Sequence, residues 1–320
     1  MEKSIERTLV SIKKQGFNKQ IEVVVVNDGS TDNSLKIINS FAARNDDMSI
    51  KVLTIQNGGL ANARNVGINA CSGDYFINLD SDDFLEEGII EKIIEKHKCV
   101  DFDVCFYGMT DFDEESRLIT FTYLDRFKYY NDCVNGKEAF IDKAQRKIWI
   151  CQGSACYRKK IVFDYSLFNI KGLNQGEDFY FIMSFLSVSK VITCVHDIGV
   201  NISYRKDSMM HAVYNDSYLS IFELITRLLI TLNNREDFNE KEKMQEVLKG
   251  EFENQRLAVA KKIIVSFPDA SSRHLKATIK QKIPPMMKKS TKCLSFKKKL
   301  ESFIFNHFFF AYKIIVRARS

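Results

Sequence analysis

What this 320-residue chain lacks narrows its roles before any motif is considered. No stretch reaches the roughly 18 to 20 apolar residues that a membrane-spanning helix needs. The nearest, Phe303 to Val316, is short and broken by Asn306, His307 and Lys313. The eight cysteines (71, 99, 105, 133, 151, 156, 194 and 293) form no Cys-x-x-Cys pair and no zinc-type spacing. Most lie among apolar residues, as buried free thiols do, and the N-terminus carries no signal peptide. A reducing, cytoplasmic setting is therefore expected. There is no internal repeat, no Gly-x-Gly-x-x-Gly and no Gly-x-x-x-x-Gly-Lys phosphate loop. The three prolines, Pro268, Pro284 and Pro285, all punctuate the basic end of the chain.

What is present reads as an ordinary globular protein, 45% hydrophobic and 28% charged, long enough for one large α/β domain with an appendage. The net charge of +6 is unevenly spread. Residues 276–320 hold twelve Lys or Arg against the single acid Glu301, a local +11 that leaves −5 on the rest. Such a tail suits an anionic membrane surface. Phe303, Ile304, Phe305 and Phe308–Phe310 beside Lys297–Lys299 resemble an interfacial helix, although a helix packed on the rest of the protein would read the same way. The aromatic residues cluster in one apolar stretch, which argues against nucleic acid as the partner.

Hydrophobic periodicity predicts an amphipathic helix over 4–15 and a strand at Ile21–Val26, buried on both faces. Further strands are expected at Lys51–Ile55, Tyr75–Leu79, Phe102–Tyr107, Cys151–Tyr157 and Val191–His196. Helices are expected at Ala61–Ala70, Gly88–His97, Gly136–Gln145, from Glu177 to about Ser187, and across 215–265. Strands alternating with helices imply a mainly parallel sheet covered on both faces. Ligands bind such sheets outside the carboxyl ends of the strands. Asp28 and Asp80 both lie at strand ends, so both should face one crevice.

Asp80-Ser81-Asp82-Asp83 sets three carboxylates within four residues. Like charges so close are unfavourable unless a cation offsets them, and hard oxygen ligands suit Mg²⁺ or Mn²⁺. By itself the cluster is equally well a solvated turn capping the next helix, which is the plainer reading of Asp83. Asn27-Asp28-Gly29-Ser30 reads first as a capped strand–helix junction. The glycine turn Asn57-Gly58-Gly59 leads into a helix whose Arg64 can meet phosphate, or can be a surface arginine. Glu177-Asp178 at a helix start is favoured by the helix dipole, and can also supply a general base. Tyr204-Arg205 and His211 follow a strand; an arginine suits a diphosphate and a histidine suits a metal, though a lone histidine is more often structural.

In this order the motifs resemble glycosyltransferase family 2, inverting enzymes with the GT-A nucleotide-sugar-binding fold. The residues that carry the likeness are Asn27–Asp32, Gln56–Leu60 with Ala63–Gly67, Gly73–Tyr75 with Leu79–Asp83, Gly176–Asp178 with Phe181, and Tyr204-Arg205. They span about residues 2–211. The resemblance implies an α/β GT-A domain over 1–212, followed by a helical C-terminal region over 213–320. It implies that Asp28 contacts the nucleotide base, that Asp80 and Asp82 contact ribose and a Mn²⁺ or Mg²⁺ ion, and that Asp178 is the catalytic base. It implies further that Arg64 and Arg205 help bind the donor and that His211 is a late metal ligand.

The implied reaction moves a hexosyl or N-acetylhexosaminyl group from a UDP-sugar to a hydroxyl of a surface or capsular polysaccharide, or of a lipid-linked acceptor. A peripheral site at the inner face of the plasma membrane goes with such acceptors. The family normally opens with an apolar strand before the helix equivalent to Ile5–Gln15, and that strand is absent here. A shortened reading frame is one expectation; a non-catalytic nucleotide-sugar-binding or assembly protein is the alternative. A nucleotidyltransferase would want a Gly-rich basic signature near the N-terminus, and none is visible.

Overall fold

A computed structural model describes residues 1–17, 20–173, 175–204, 213–234, 241–288 and 291–318. Helix α1 (Ile5–Lys13) buries Ile5 and Leu9, one turn apart, against strand β1 (Glu22–Asp28). β1 pairs in parallel with β2 (Ser49–Ile55), Val26 opposite Leu53, and helix α2 (Ser34–Arg44) makes the crossover. Helix α3 (Leu60–Ala70) follows and packs against β1, with Gly67 beside Val26.

The second half of the sheet is mixed. Its strands are β3 (Tyr75–Phe76), β4 (Phe84–Leu85), β5 (Val104–Asp113), β6 (Leu118–Thr122), β7 (Ala155–Arg158) and β8 (Ile192–Tyr204). They run in the order β3-β7-β5-β8-β4, with β6 paired to β5. Among the described residues only β5–β8 is parallel in this sheet; β3–β7, β5–β7, β4–β8 and β5–β6 are antiparallel. The mainly parallel sheet expected from the sequence thus holds for β1–β2 and β5–β8 alone. One of the antiparallel pairs comes from a tight reversal: Asp113 accepts hydrogen bonds from the amides of Glu115 and Ser116, and Arg117 takes a left-handed φ of 60°, which folds β6 straight back on β5.

Helices α4 (Ile89–Cys99), α5 (Gly136–Ala144), α6 (Lys159–Tyr165) and α7 (Glu177–Leu186) flank the sheet. The C-terminal region is α8 (Ser220–Asn233), α9 (Lys241–Ser266), α10 (Ser272–Lys282), α11 (Phe296–His307) and α12 (Phe309–Arg317). One hydrophobic core runs without a break from Ile68 and Phe76 through Phe181 and Phe252 to Val316, across residue 212. All eight cysteines are free, and among the described residues no helix is long and apolar enough to cross a membrane.

Among the described residues, β1 and the larger sheet share no ladder. A slot of about 690 Å³ runs between them, walled by Val23, Val25, Ile68, Phe76, Ile77 and Leu79. It has two consequences. The predicted strand Tyr75–Leu79 pairs only at Tyr75–Phe76, and Ile77–Leu79 run on outside any ladder. β1, expected to be buried on both faces, is fully buried only at Val23 and Asn27.

Candidate active site

Arg64, on the second turn of α3, organises the site. Its Nη2 donates to both oxygens of Asp80, at 3.0 and 3.1 Å, and its Nη1 donates to Asp178 Oδ1 at 2.5 Å. Glu177 lies 3.8 Å from the same Nη1. The arginine side chain is 8% exposed, whereas Asp80 and Asp178 are 39% and 38% exposed. The cation is therefore sealed in and the carboxylates reach the crevice.

Burial would lower the Arg64 pKa, but Asp178, Asp80 and Glu177 outweigh it and hold the guanidinium charged. Burial raises the Asp80 carboxyl; Arg64 opposes the rise, while Asp178 and Asp82 add to it. Glu177 is raised by burial and by Asp178. Three carboxylates around one cation leave surplus negative charge in the crevice.

The acidic turn is held from behind by α1. Arg7 Nη2 donates to the Asp82 carbonyl at 2.7 Å, and Thr8 Oγ1 donates to the carbonyls of Asp83 and Ser81 at 2.7 and 3.1 Å. Asp83 points inward, 5% exposed, and accepts from the Ser203 amide at 2.8 Å. Burial, followed by Asp80, pushes its pKa well up. Asp83 ties the turn to β8; it is neither solvated nor a cap of the next helix, whose N-cap is Gly88, so the plainer sequence reading does not hold for it.

Asp178 sits in the first turn of α7, whose dipole favours an anion. Gly176 precedes that helix with φ of 86°, a backbone conformation that favours glycine, and it sits against the tip of the Ile221 side chain. The same Asp178 Oδ1 also accepts a hydrogen bond from Gln152 Nε2 at 3.0 Å. Gln152 is fully buried; Nε2 also reaches Asn169 Oδ1 at 2.8 Å, and Oε1 accepts from Asn78 at 2.8 Å. Asn65, one residue after Arg64, exchanges hydrogen bonds with the Asn169 backbone. Gln152, Asn169, Asn78 and Arg7 all escaped the sequence reading. A glutamine inside the apolar run 148–156 was the one available signal.

The other expected residues fall elsewhere. Asp28 already has a structural use: its two oxygens accept the amides of Gly58 and Gly59, each at 2.8 Å, tying the end of β1 to the start of α3. Gly59, with φ of 82°, makes that turn possible. Arg64 is likewise engaged by carboxylates rather than open to a phosphate, although its buried Nε has no partner. Arg205 and His211 lie outside the described residues. Among the described residues no three His, Cys, Asp or Glu side chains converge as a metal centre. Asp80 and Asp82 nevertheless supply the oxygen chemistry that suits Mg²⁺ or Mn²⁺, beside a surplus of negative charge.

Comparison with known proteins gives the fold and the family. The chain is 36% identical over 126 residues to the glycosyltransferase GlyA of Streptococcus pneumoniae, covering 39% of this chain and 17% of GlyA. It is 28% identical over 245 residues to the putative glycosyltransferase EpsH of Bacillus subtilis, covering 73% of this chain and 67% of EpsH. The chain thus spans less than a fifth of GlyA, and about a third of the S. pneumoniae glycosyltransferase GlyG. Among solved structures, S. aureus TarS 1–349 with UDP-GlcNAc superposes with a TM-score of 0.63 at 20% identity, covering 86% of this chain and 80% of that one. The Pyrobaculum calidifontis mannosyltransferase PcManGT, with GDP-Man and Mn²⁺, gives 0.55 at 12% identity, covering 98% and 82%. The fold is thus a GT-A-like mixed α/β arrangement with a helical C-terminal region. The model of glycosyl transferase family 2 matches residues 2–164, half of the chain, and the chain belongs to that family.

Proposed function

We propose that this chain is an inverting glycosyltransferase that moves a hexosyl or N-acetylhexosaminyl group from a UDP-sugar to a hydroxyl of a surface or capsular polysaccharide or a lipid-linked acceptor. One observation carries the reading: a single buried arginine joins Asp178 to Asp80. The residue suited to deprotonate an acceptor and the residue suited to the donor thus lie within one side chain's reach. A UDP-sugar in the TarS complex supports the donor class.

Asp178, kept in place by Gln152 and Arg64, takes the proton from the acceptor hydroxyl. That oxygen attacks the anomeric carbon as the bond to the diphosphate breaks, and UDP leaves with the electron pair. Asp80 and Asp82 would hold Mn²⁺ or Mg²⁺, which offsets the charge on the leaving diphosphate. Arg205 and His211 would complete the donor and metal contacts, and residues 1–212 would form the catalytic domain. A lipid-linked acceptor puts the chain at the inner face of the plasma membrane.

The test is Asp178→Asn, assayed for UDP-sugar transfer or hydrolysis with Mn²⁺. Turnover should fall by about 10² to 10⁴, with UDP binding unchanged in calorimetry. A variant as active as the parent would remove Asp178 from the mechanism. The slot beside β1 favours a second reading, a nucleotide-sugar binder without turnover. That reading predicts UDP-sugar binding with no Mn²⁺-dependent turnover by the parent chain.

A further inference from the structure

The C-terminal helices pack by one face only. Toward α9 they bury Phe305, Phe309, Tyr312 and Val316, and Ser302 Oγ donates to Glu253 Oε1 at 2.5 Å. The opposite face of α11 carries Phe296, Leu300 and Phe303 at i, i+4 and i+7, exposed by 83%, 49% and 53%. Phe308, Phe310 and Ile314 extend it along α12, more than half exposed, with the Phe303 and Phe308 rings 5.8 Å apart. A groove of about 420 Å³ opens between α9, α11 and α12, lined by Leu300, Ile304 and Ile315 and edged by Lys261 and Lys297. Lys297 and Lys299 are exposed beside the Phe stripe, in a segment whose only acid, Glu301, is already held by Lys261 and Lys298.

An apolar stripe edged by cations matches the layering of an anionic bilayer, acyl chains beneath phosphates. We propose that the outer face of α11–α12 docks on an anionic lipid surface, with Phe303 and Phe310 inserted between headgroups and Lys297 and Lys299 on lipid phosphates. The inference sharpens the membrane-side reading above and is independent of catalysis. The packed helix and the interfacial helix offered by the sequence are then two faces of one hairpin.

The full chain should float with phosphatidylcholine vesicles containing about one third phosphatidylglycerol, and stay behind with pure phosphatidylcholine. Phe303→Ser with Phe310→Ser should cut the bound fraction about tenfold, and Lys297→Glu with Lys299→Glu should do so on the anionic vesicles. Unchanged melting temperature and UDP affinity would show both variants folded. Equal binding by parent and variants, or no flotation, would overturn the proposal. So would light scattering showing a dimer of the parent that the serine pair dissolves, which would make a second copy the occupant. A catalytically dead Asp178→Asn chain should float as well as the parent, so failure of either idea leaves the other standing.

Discussion

At Lys143 the ammonium lies 4.6 Å from the centroid of the Trp149 ring, and burial brings its pKa down to about 8. A lysine depressed in the folded state favours folding where it is neutral, above its ordinary value near 10.5. That contribution is lost as pH falls through about 8. Trp149 is the only tryptophan in the chain, so its fluorescence should report the titration directly. A transition centred near pH 8 is expected, together with its disappearance in Lys143→Met. The same variant should be more stable than the parent at pH 6 and lose that advantage in alkali. A pH-independent spectrum in the parent would refute the assignment.

Residues at this scale were legible in proportion to their locality. Asp80 lies in a turn, and Arg64 and Asp178 in the opening turns of helices, where sequence pattern and chemistry coincide. Gln152 and Arg7 act across 26 and 75 positions, on Asp178 and the Asp82 carbonyl, and no local rule encodes such reach. At Asp28 a carboxylate suited to a base is equally suited to two loop amides, and the sequence alone does not reveal the second use.

Among the elements, α1, β1, β2, α3 and α4 lie within a few residues of their sequence-derived bounds, because their apolar periods are clean. Pairing direction was harder to read. It depends on reversals such as Asp113–Arg117 and on two-residue strands such as β4, which are too short to have a period. The slot exposes one edge of β1 and stops the ladder at Phe76, leaving both ready to accept another strand. The amino group of Met1 lies 2.7 Å from Asp32, just past the carboxyl end of β1. A strand parallel to β1 and joined ahead of Met1 would therefore reach α1 by a right-handed crossover. Fusing about seven β-branched residues there should raise the melting temperature by about 5 °C or more and tighten UDP binding. A Gly-Ser fusion of equal length should do neither. If the two fusions melt together, the slot does not take a strand.

For the molecule as a whole, the continuous core makes residue 212 a poor place to cut. Phe222, Ile225 and Leu228 of α8, with Phe252 of α9, are buried in the same core as Phe181 and Phe185 of α7. A chain ending at 212 should lose its cooperative thermal transition by circular dichroism and expose dye-binding apolar surface. A sharp transition close to that of the full chain would mean that 1–212 folds alone. The helical character of the C-terminal region was legible in the sequence, but its attachment to α7 was not, since only contacts between distant residues reveal it.

The same packing sets a direction. Gly176, just before Asp178, abuts Ile221; Phe222 beside it meets Phe252 with ring centroids 5.0 Å apart; and Glu253, next along, holds Ser302. Close-packed contacts of this kind transmit orientation with little slack. Any flat surface resting on Phe303 and Phe310 would therefore fix the height and tilt at which the Asp80–Asp178 crevice faces it. The hairpin acts as a gauge for how far an acceptor must extend from that surface to be reached.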